Sequence, residues 1–337
     1  MVSCKRQLII MGTKIGGKEF RRYEYAYENS TKSTSQSNNK IAPGLEHEQE
    51  VERRFKEYLR NIQPEQYEMR RLDEIEQEVE NTLRSRLSIV ERHMFGSSVK
   101  GTMVKKKNGN DMDVLFVLDP AVHGAWLKQP QGEKACLETI RQVLSLNPRL
   151  KTASIRVDKN AVNVMVDKMS IDVVPSFPGS ERDFVIPDTS RSSGWVNTDP
   201  RRFKRVLQEI DKRNSGKVIP LIQKVKDWNN RHGGYLRSYH IEAMAYLYFK
   251  TAPERSGDDI HPHINEFFTR LPHYLQTGNI RDPITGERLD HYLRDSSRDR
   301  AIAAAFGAKE HAILSRGLQE KAKYQTSLDE WNKLLHD

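Results

Sequence analysis

The segment Phe95–Leu118, FGSSVKGTMVKKKNGNDMDVLFVL, constrains the chain more than any other stretch. A Gly-Ser pair opens a loop, a second glycine and a basic run follow, and Asp111 and Asp113 then introduce Val114–Leu118, a run of β-branched, aromatic and aliphatic residues that predicts a strand. In a strand, residues two apart share a face, so both carboxylates stand side by side. They repel each other unless a cation lies between them. Mg²⁺, with Mn²⁺ as a substitute, suits such hard oxygen ligands and is commonly shared with phosphates. Backbone N–H groups and the hydroxyl at Gly96-Ser97 are suited to an anion of that kind. Asp172 lies in a later apolar strand, Ser170–Val174, closed by Pro175. A lone carboxylate there needs a cationic partner, since burying it unpaired costs several kcal/mol. The three aspartates together form a candidate two-metal set.

The remainder of the chain predicts an α+β plan. Residues 30–40 are polar and low in complexity, a linker; the segment before them, up to Asn29, is either a β-hairpin or a disordered arm. From residue 45, Val51, Phe55, Tyr58, Leu59 and Ile62 fall on one helical stripe. Beyond Pro64 a second stripe, Leu72, Ile75, Val79, Leu83, Leu87 and Val90, predicts a long helix running directly into the Gly96-Ser97 turn. A helix over Gly132–Leu146 and a hairpin turning at Asp158–Asn160, between Ile155/Val157 and Val162/Val164/Val166, come next. Asp199-Pro200 reads as an N-cap and first turn, and the chain beyond is almost wholly helical. The expected division is residues 1–44 as arm and linker, 45–198 as the catalytic core and 199–337 as a helical domain closing the cleft.

The formal charge of +9 suits an anionic ligand, although surface charge without a partner accounts for it equally well. Cys4 and Cys136 are the only cysteines, too few for a disulfide framework or a zinc ribbon. With no apolar run near the roughly 20 residues of a membrane span and no signal-peptide core, a cytoplasmic protein without a membrane partner is expected.

Gly96-Ser97, Asp111-Met112-Asp113 and Asp172 on a later strand resemble the nucleotidyltransferase superfamily of DNA polymerase beta, poly(A) polymerase and 2′-5′ oligoadenylate synthetase. The fuller pattern, GSSVKGT…DMDVLFVL…MSIDVVPSFP, resembles the CD-NTases of antiphage defence, bacterial relatives of cyclic GMP-AMP synthase. The likeness runs from about residue 45 to near the C-terminus. It implies a polymerase-beta-like mixed sheet with a long spine helix, packed against a C-terminal helical bundle, and catalytic, metal-binding roles for Asp111, Asp113 and Asp172. It further implies nucleoside triphosphate substrates (ATP or GTP) and a cyclic di- or trinucleotide product read by a separate effector protein; whether a nucleic-acid or protein activator is needed is left open. IPLIQKVKDW and RSYHIEAMAYLYF resemble the family's Lys-bearing and Ser-Tyr-His-bearing helices, which places Lys226 and Ser238, with Gly96 and Ser97, at the nucleotide. At 100° per residue Lys226 flanks the stripe Val218, Leu221, Ile222, Val225, Trp228, while Lys224 points the opposite way, toward solvent. Ser238 opens a helix after Gly233-Gly234, where free N–H groups favour an anion.

Lys105-Lys106-Lys107 reads as a solvated charge cluster, with steering of triphosphate or contact with nucleic acid as the alternative, His261 and His263 as surface residues, Tyr246, Tyr248 and Phe249 as core, and Trp195 as a structural or base-covering ring. Two rivals stand beside the cyclase reading: nucleotide transfer to RNA ends or to a protein, and a nucleic-acid or protein sensor with little catalysis. Base choice, 2′ or 3′ linkage, ring size and oligomeric state are not encoded in any motif recognised in the sequence.

Overall fold

A computed structural model describes residues 7–15, 18–26, 42–180, 183–252 and 259–336. Two compact units result, Met1–Ala42 and Pro43–Asp337. In the first, β1 (Gln7–Ile15) and β2 (Lys18–Ala26) pair antiparallel with Ile15 opposite Lys18, so the hairpin alternative holds for this segment. The linker at 30–40 lies outside the described residues.

The second unit begins with two helices, α1 (Pro43–Ile62) and α2 (Gln66–Arg84). Pro64 separates them, and a capping box restarts the second, with the Glu65 backbone N–H donating to Glu68 Oε2 at 2.7 Å. Then follow β3 (Ile89–Phe95), α3 (Gly96–Lys100), β4 (Asp111–Leu118), α4 (Pro120–His123), α5 (Gly132–Ser145), β5 (Ser154–Val157), β6 (Val162–Val166), β7 (Met169–Pro178), β8 (Phe184–Pro187) and β9 (Trp195–Thr198). Among the described residues six helices follow: α6 (Pro200–Arg213), α7 (Val218–Arg231), α8 (Ser238–Thr251), α9 (His261–Thr277), α10 (Asp295–Glu320) and α11 (Tyr324–His336).

The mixed sheet runs β3-β4-β7-β6-β5, with β8 on β7 and β9 on β8; only β4 and β7 are parallel. Alternation along β4 sends Met112, Val114, Phe116 and Leu118 into one core, where Leu72, Ile75, Val79 and Leu83 of α2 meet Leu137, Ile140 and Leu144 of α5. The carboxylates of Asp111 and Asp113 are thereby committed to the other face. A second core gathers α1 with the helices after Pro200 around Phe55, Trp228, Tyr248, Phe268 and Trp331.

Two expectations are corrected here. The second helix stops at Arg84 and does not run into the Gly96-Ser97 turn. Its stripe fails at Val90, which is 51% exposed, because Ile89–Phe95 satisfies its backbone by pairing with β4 from Leu118 to Asp113. The strand carrying Asp172 also continues past Pro175 to Pro178. Its β6 partner reaches only Val173, so the missing N–H of Pro175 leaves no ladder bond unmade on that side.

Candidate active site

Strand pairing assembles the three aspartates. Asp113 lies opposite Asp172 in the parallel β4–β7 register, with Asp111 two residues earlier opposite Ser170. Burial pushes the Asp113 carboxyl up to about 7, and the charges of Asp111 and Asp172 push the same way against Lys100 and Lys106. Burial also raises Asp172, helped by Asp111 and Asp158 and opposed by Asn163, whose Nδ2 donates to Asp172 Oδ1 at 2.7 Å. Asp111 has a cation already: Lys106 Nζ stands 2.7 Å from its Oδ1. The Gly-Ser turn lies directly against this group. Phe95 pairs with Asp113, and a Cβ built on Gly96, whose φ is +75°, would come within 1.8 Å of Asp113 Oδ2.

Among the described residues no three His, Cys, Asp or Glu side chains already stand close enough to share one ion. The case for a cation therefore rests on donor chemistry and charge. Three carboxylates on two adjacent strands, two of them held above their usual range by burial and by neighbouring carboxylates, fit Mg²⁺.

A cavity of about 240 Å³ opens beside this face, and its wall brings together Ser97, Lys106, Lys226 and Ser238 from four separate segments. The aspartates do not line it; Lys106 joins the two, lining the cavity and pairing with Asp111. Ser238 is the first residue of α8 and is exposed. Lys226 reaches the cavity wall but is only 4% exposed, and its Nζ donates to Glu242 Oε1 at 2.7 Å and to Thr102 Oγ1 at 3.0 Å. Glu242, fully buried, also accepts from Thr102 Oγ1 at 2.7 Å and from Lys100.

Lys224 is not a solvated surface charge. It is 0% exposed, donates from Nζ to the Leu335 carbonyl at 3.0 Å, and lies over the rings of Tyr58 and Phe268. The reason is that α7 runs through the helical core and buries both sides, Gln223, Lys224, Asp227 and Asn229 included. Lys224→Ala is therefore expected to lower stability by about 2–4 kcal/mol, measured by chemical denaturation; an unchanged midpoint refutes the packing role. His261 and His263 are likewise buried, against Trp331 and against Tyr248 and Phe249 respectively. Trp195 stands edge-on to Phe177 at 5.6 Å, the structural alternative.

Lys100, Thr102, Asn163 and Glu242 went unrecognised in the sequence, and Lys106 reads there first as part of a solvated cluster, whereas it pairs with Asp111 and lines the cavity. Glu242 left a usable signal, an acid between Ile241 and Ala243-Met244 in an apolar helix; nothing in a triple-lysine run singles out its middle member.

Residues 50–213 match the model of the Second Messenger Oligonucleotide or Dinucleotide Synthetase domain. A probable cyclic nucleotide synthase of Bacillus cereus is 26% identical over 212 residues, 60% of this chain and 61% of that protein. A cyclic AMP-AMP-AMP synthase of Acinetobacter is 22% identical over 44% of this chain and 48% of its own. The chain thus spans about three fifths and about half of the lengths of these relatives. Among solved structures, Escherichia coli CdnC with ATP superposes with a TM-score of 0.63 at 14% identity, covering 85% of this chain and 98% of that one. The Vibrio cholerae cyclic AMP-GMP synthase DncV gives 0.57 at 13%, covering 73% and 68%. At such identities these two likenesses establish the shared fold alone, a mixed sheet with helices. Residues 50–213, which carry all three aspartates, thus match a second-messenger oligonucleotide or dinucleotide synthetase domain, and the chain shares the fold of CdnC and DncV.

Proposed function

We propose that this chain is a Mg²⁺-dependent nucleotidyltransferase that joins nucleoside triphosphates, ATP or GTP, into a cyclic di- or trinucleotide. The observation that carries the reading is the placement of the Gly96-Ser97 turn against Asp113, within a face where Asp113 and Asp172 are strand neighbours. The names of the curated relatives, cyclic nucleotide synthases, support it.

In this reading Asp111, Asp113 and Asp172 hold the ions, and the ions supply acidity to the attacking ribose hydroxyl and stabilisation to the departing pyrophosphate. Ser97 and Ser238 offer hydroxyl and N–H donors to the triphosphate, Lys226 offers charge, and Asn163 orients Asp172 through its 2.7 Å bond. Were Asp111 to hold an ion, Lys106, which pairs with it at 2.7 Å and also lines the cavity wall, would be free to meet phosphate. Positioning of donor and acceptor nucleotides supplies most of the catalysis, since phosphoryl-type transfer needs little covalent help from protein. The product signals to a separate effector in antiphage defence, in the cytoplasm. No described helix is long and apolar enough to cross a membrane.

The purified protein, incubated with each labelled nucleoside triphosphate alone and in mixtures, is expected to yield phosphatase-resistant products whose mass lacks any terminal phosphate. Linear chains alone, or label attached to RNA or protein, overturn the cyclase but keep the nucleotidyltransferase. Absence of any transfer with Mg²⁺ and with Mn²⁺, whatever nucleic acid is added, favours the sensor.

A further inference from the structure

Glu242 is the least explained group in the molecule: a carboxylate with no exposure, in an apolar helix, with two lysines closing on it. We propose that Glu242 is a positioning residue of the triphosphate site, which from inside the core aims Lys226 at the cleft, ties the Gly96–Lys100 turn to α7 and α8, and leaves one net positive charge facing the anion. The inference rests on the cleft being a triphosphate site.

Three observations support it. First, the partners of Glu242 come from each element that builds the cavity. Lys100 ends the turn begun by Gly96-Ser97, Thr102 follows it, Lys226 is on α7, and Glu242 lies one helical turn beyond Ser238 on α8. Thr102 and Lys226 line the cavity themselves. Second, the charge count is asymmetric. Two ammonium groups, Lys100 and Lys226, face one carboxylate, so the cluster keeps an excess of +1 at the wall. A group serving stability alone has little reason to be ionic, since well-packed apolar residues often match or exceed a buried ion pair. Third, burial works against charge on Lys226 and so do Lys100 and Lys106; Glu242 is the influence that sustains it. The other titratable group facing this carboxylate is Tyr239, one turn earlier on α8 and bonded through its hydroxyl to Asp282. Lys100 is fixed from its far side by the rings of Phe203 and Tyr239, 5.5 and 5.8 Å from Nζ, which leaves Lys226 as the member with access to the cavity.

The test is ATP binding with Mg²⁺ at pH 7 and pH 9, with folding checked by circular dichroism and thermal melting. Glu242→Gln is expected to weaken binding at least tenfold at pH 7 and further at pH 9, because Lys226 has lost the charge that kept it protonated. The wild type, in which Glu242 opposes that loss of charge, should weaken less between the two pH values than the variant does. If Glu242→Gln does not fold, Lys100→Met/Glu242→Gln carries the test, since it restores the net +1. A merely structural role predicts wild-type affinity once the fold is regained; positioning predicts an affinity still at least tenfold weaker. Wild-type affinity and pH response in a folded variant overturn the assignment of Glu242. A wild type that binds no ATP or GTP overturns instead the triphosphate reading of the cleft.

Discussion

Asp113→Asn should abolish product formation and at the same time make the metal-free protein more stable at alkaline pH. The activity loss follows from removing the carboxylate shared between the Gly-Ser turn and Asp172, and a fall of at least about a hundredfold is expected. The stability gain follows from electrostatics. Burial and two neighbouring carboxylates hold the Asp113 carboxyl up near 7, whereas in the unfolded chain it ionises near its usual value of about 4. An acid raised in this way costs the fold nothing below about pH 4. The cost grows as pH climbs and is complete above about pH 7. Partial exposure of the group discounts it to about 2–4 kcal/mol. In a chelator the variant should therefore melt above the wild type at pH 8, and the difference should vanish at pH 4. Added Mg²⁺ should stabilise the wild type more than the variant, since a ligand stabilises the state that binds it. Equal melting curves at pH 8 in chelator would show that the three carboxylates do not repel across this sheet.

Much of this site is legible in the sequence because a strand transmits its pattern faithfully. The two-residue period that buries Met112 and Val114 sets Asp111 and Asp113 on the opposite face whatever the rest of the fold does. The hairpin at Asp158–Asn160 and the Asp199 cap, which accepts from the Arg201 backbone at 3.0 Å, are local in the same sense. Helix faces proved less secure. Reading one apolar stripe on α7 assumes that its other side meets water, and α7 has buried neighbours on both, so Lys224 went to solvent in the sequence and to the core in the structure. Leu87 and Val90 extended the stripe of α2 by coincidence of spacing, while pairing with β4, a partner about 25 residues downstream, decided that Ile89–Phe95 is a strand. His261 and His263 were placed outside because imidazoles carry no hydrophobic signature, although their rings pack well on Trp331, Tyr248 and Phe249. The Glu242 cluster joins residues 100, 102, 226 and 242, and contacts between such distant positions have no periodicity to reveal them.

Gly96→Ala gives the sharpest measure of how tightly the turn is fitted to the carboxylates, because the molecule supplies its own control. Gly96 and Gly101 flank the same short helix, at φ of +75° and +73°. Alanine at either position carries the same backbone penalty, about 1–2 kcal/mol for a left-handed conformation. What a methyl group meets differs completely. At Gly101 the nearest atoms belong to Ile219 at 3.9 Å, an ordinary contact; at Gly96 the Asp113 Oδ2 lies 1.8 Å away. Gly101→Ala should therefore lose only the backbone increment and stay within a few-fold of wild-type turnover. Gly96→Ala should lose the same increment and, in addition, drive the Asp113 carboxylate off its place beside Asp172. If Asp113 holds ion and substrate as proposed, it tolerates little displacement, since misplacement by an ångström costs on the order of a hundredfold. Similar melting temperatures for the two variants, with turnover lost in Gly96→Ala alone, is the expected pair of results. Equal turnover would mean that Asp113 swings clear without consequence, and that the contact between turn and carboxylate is packing rather than part of the site.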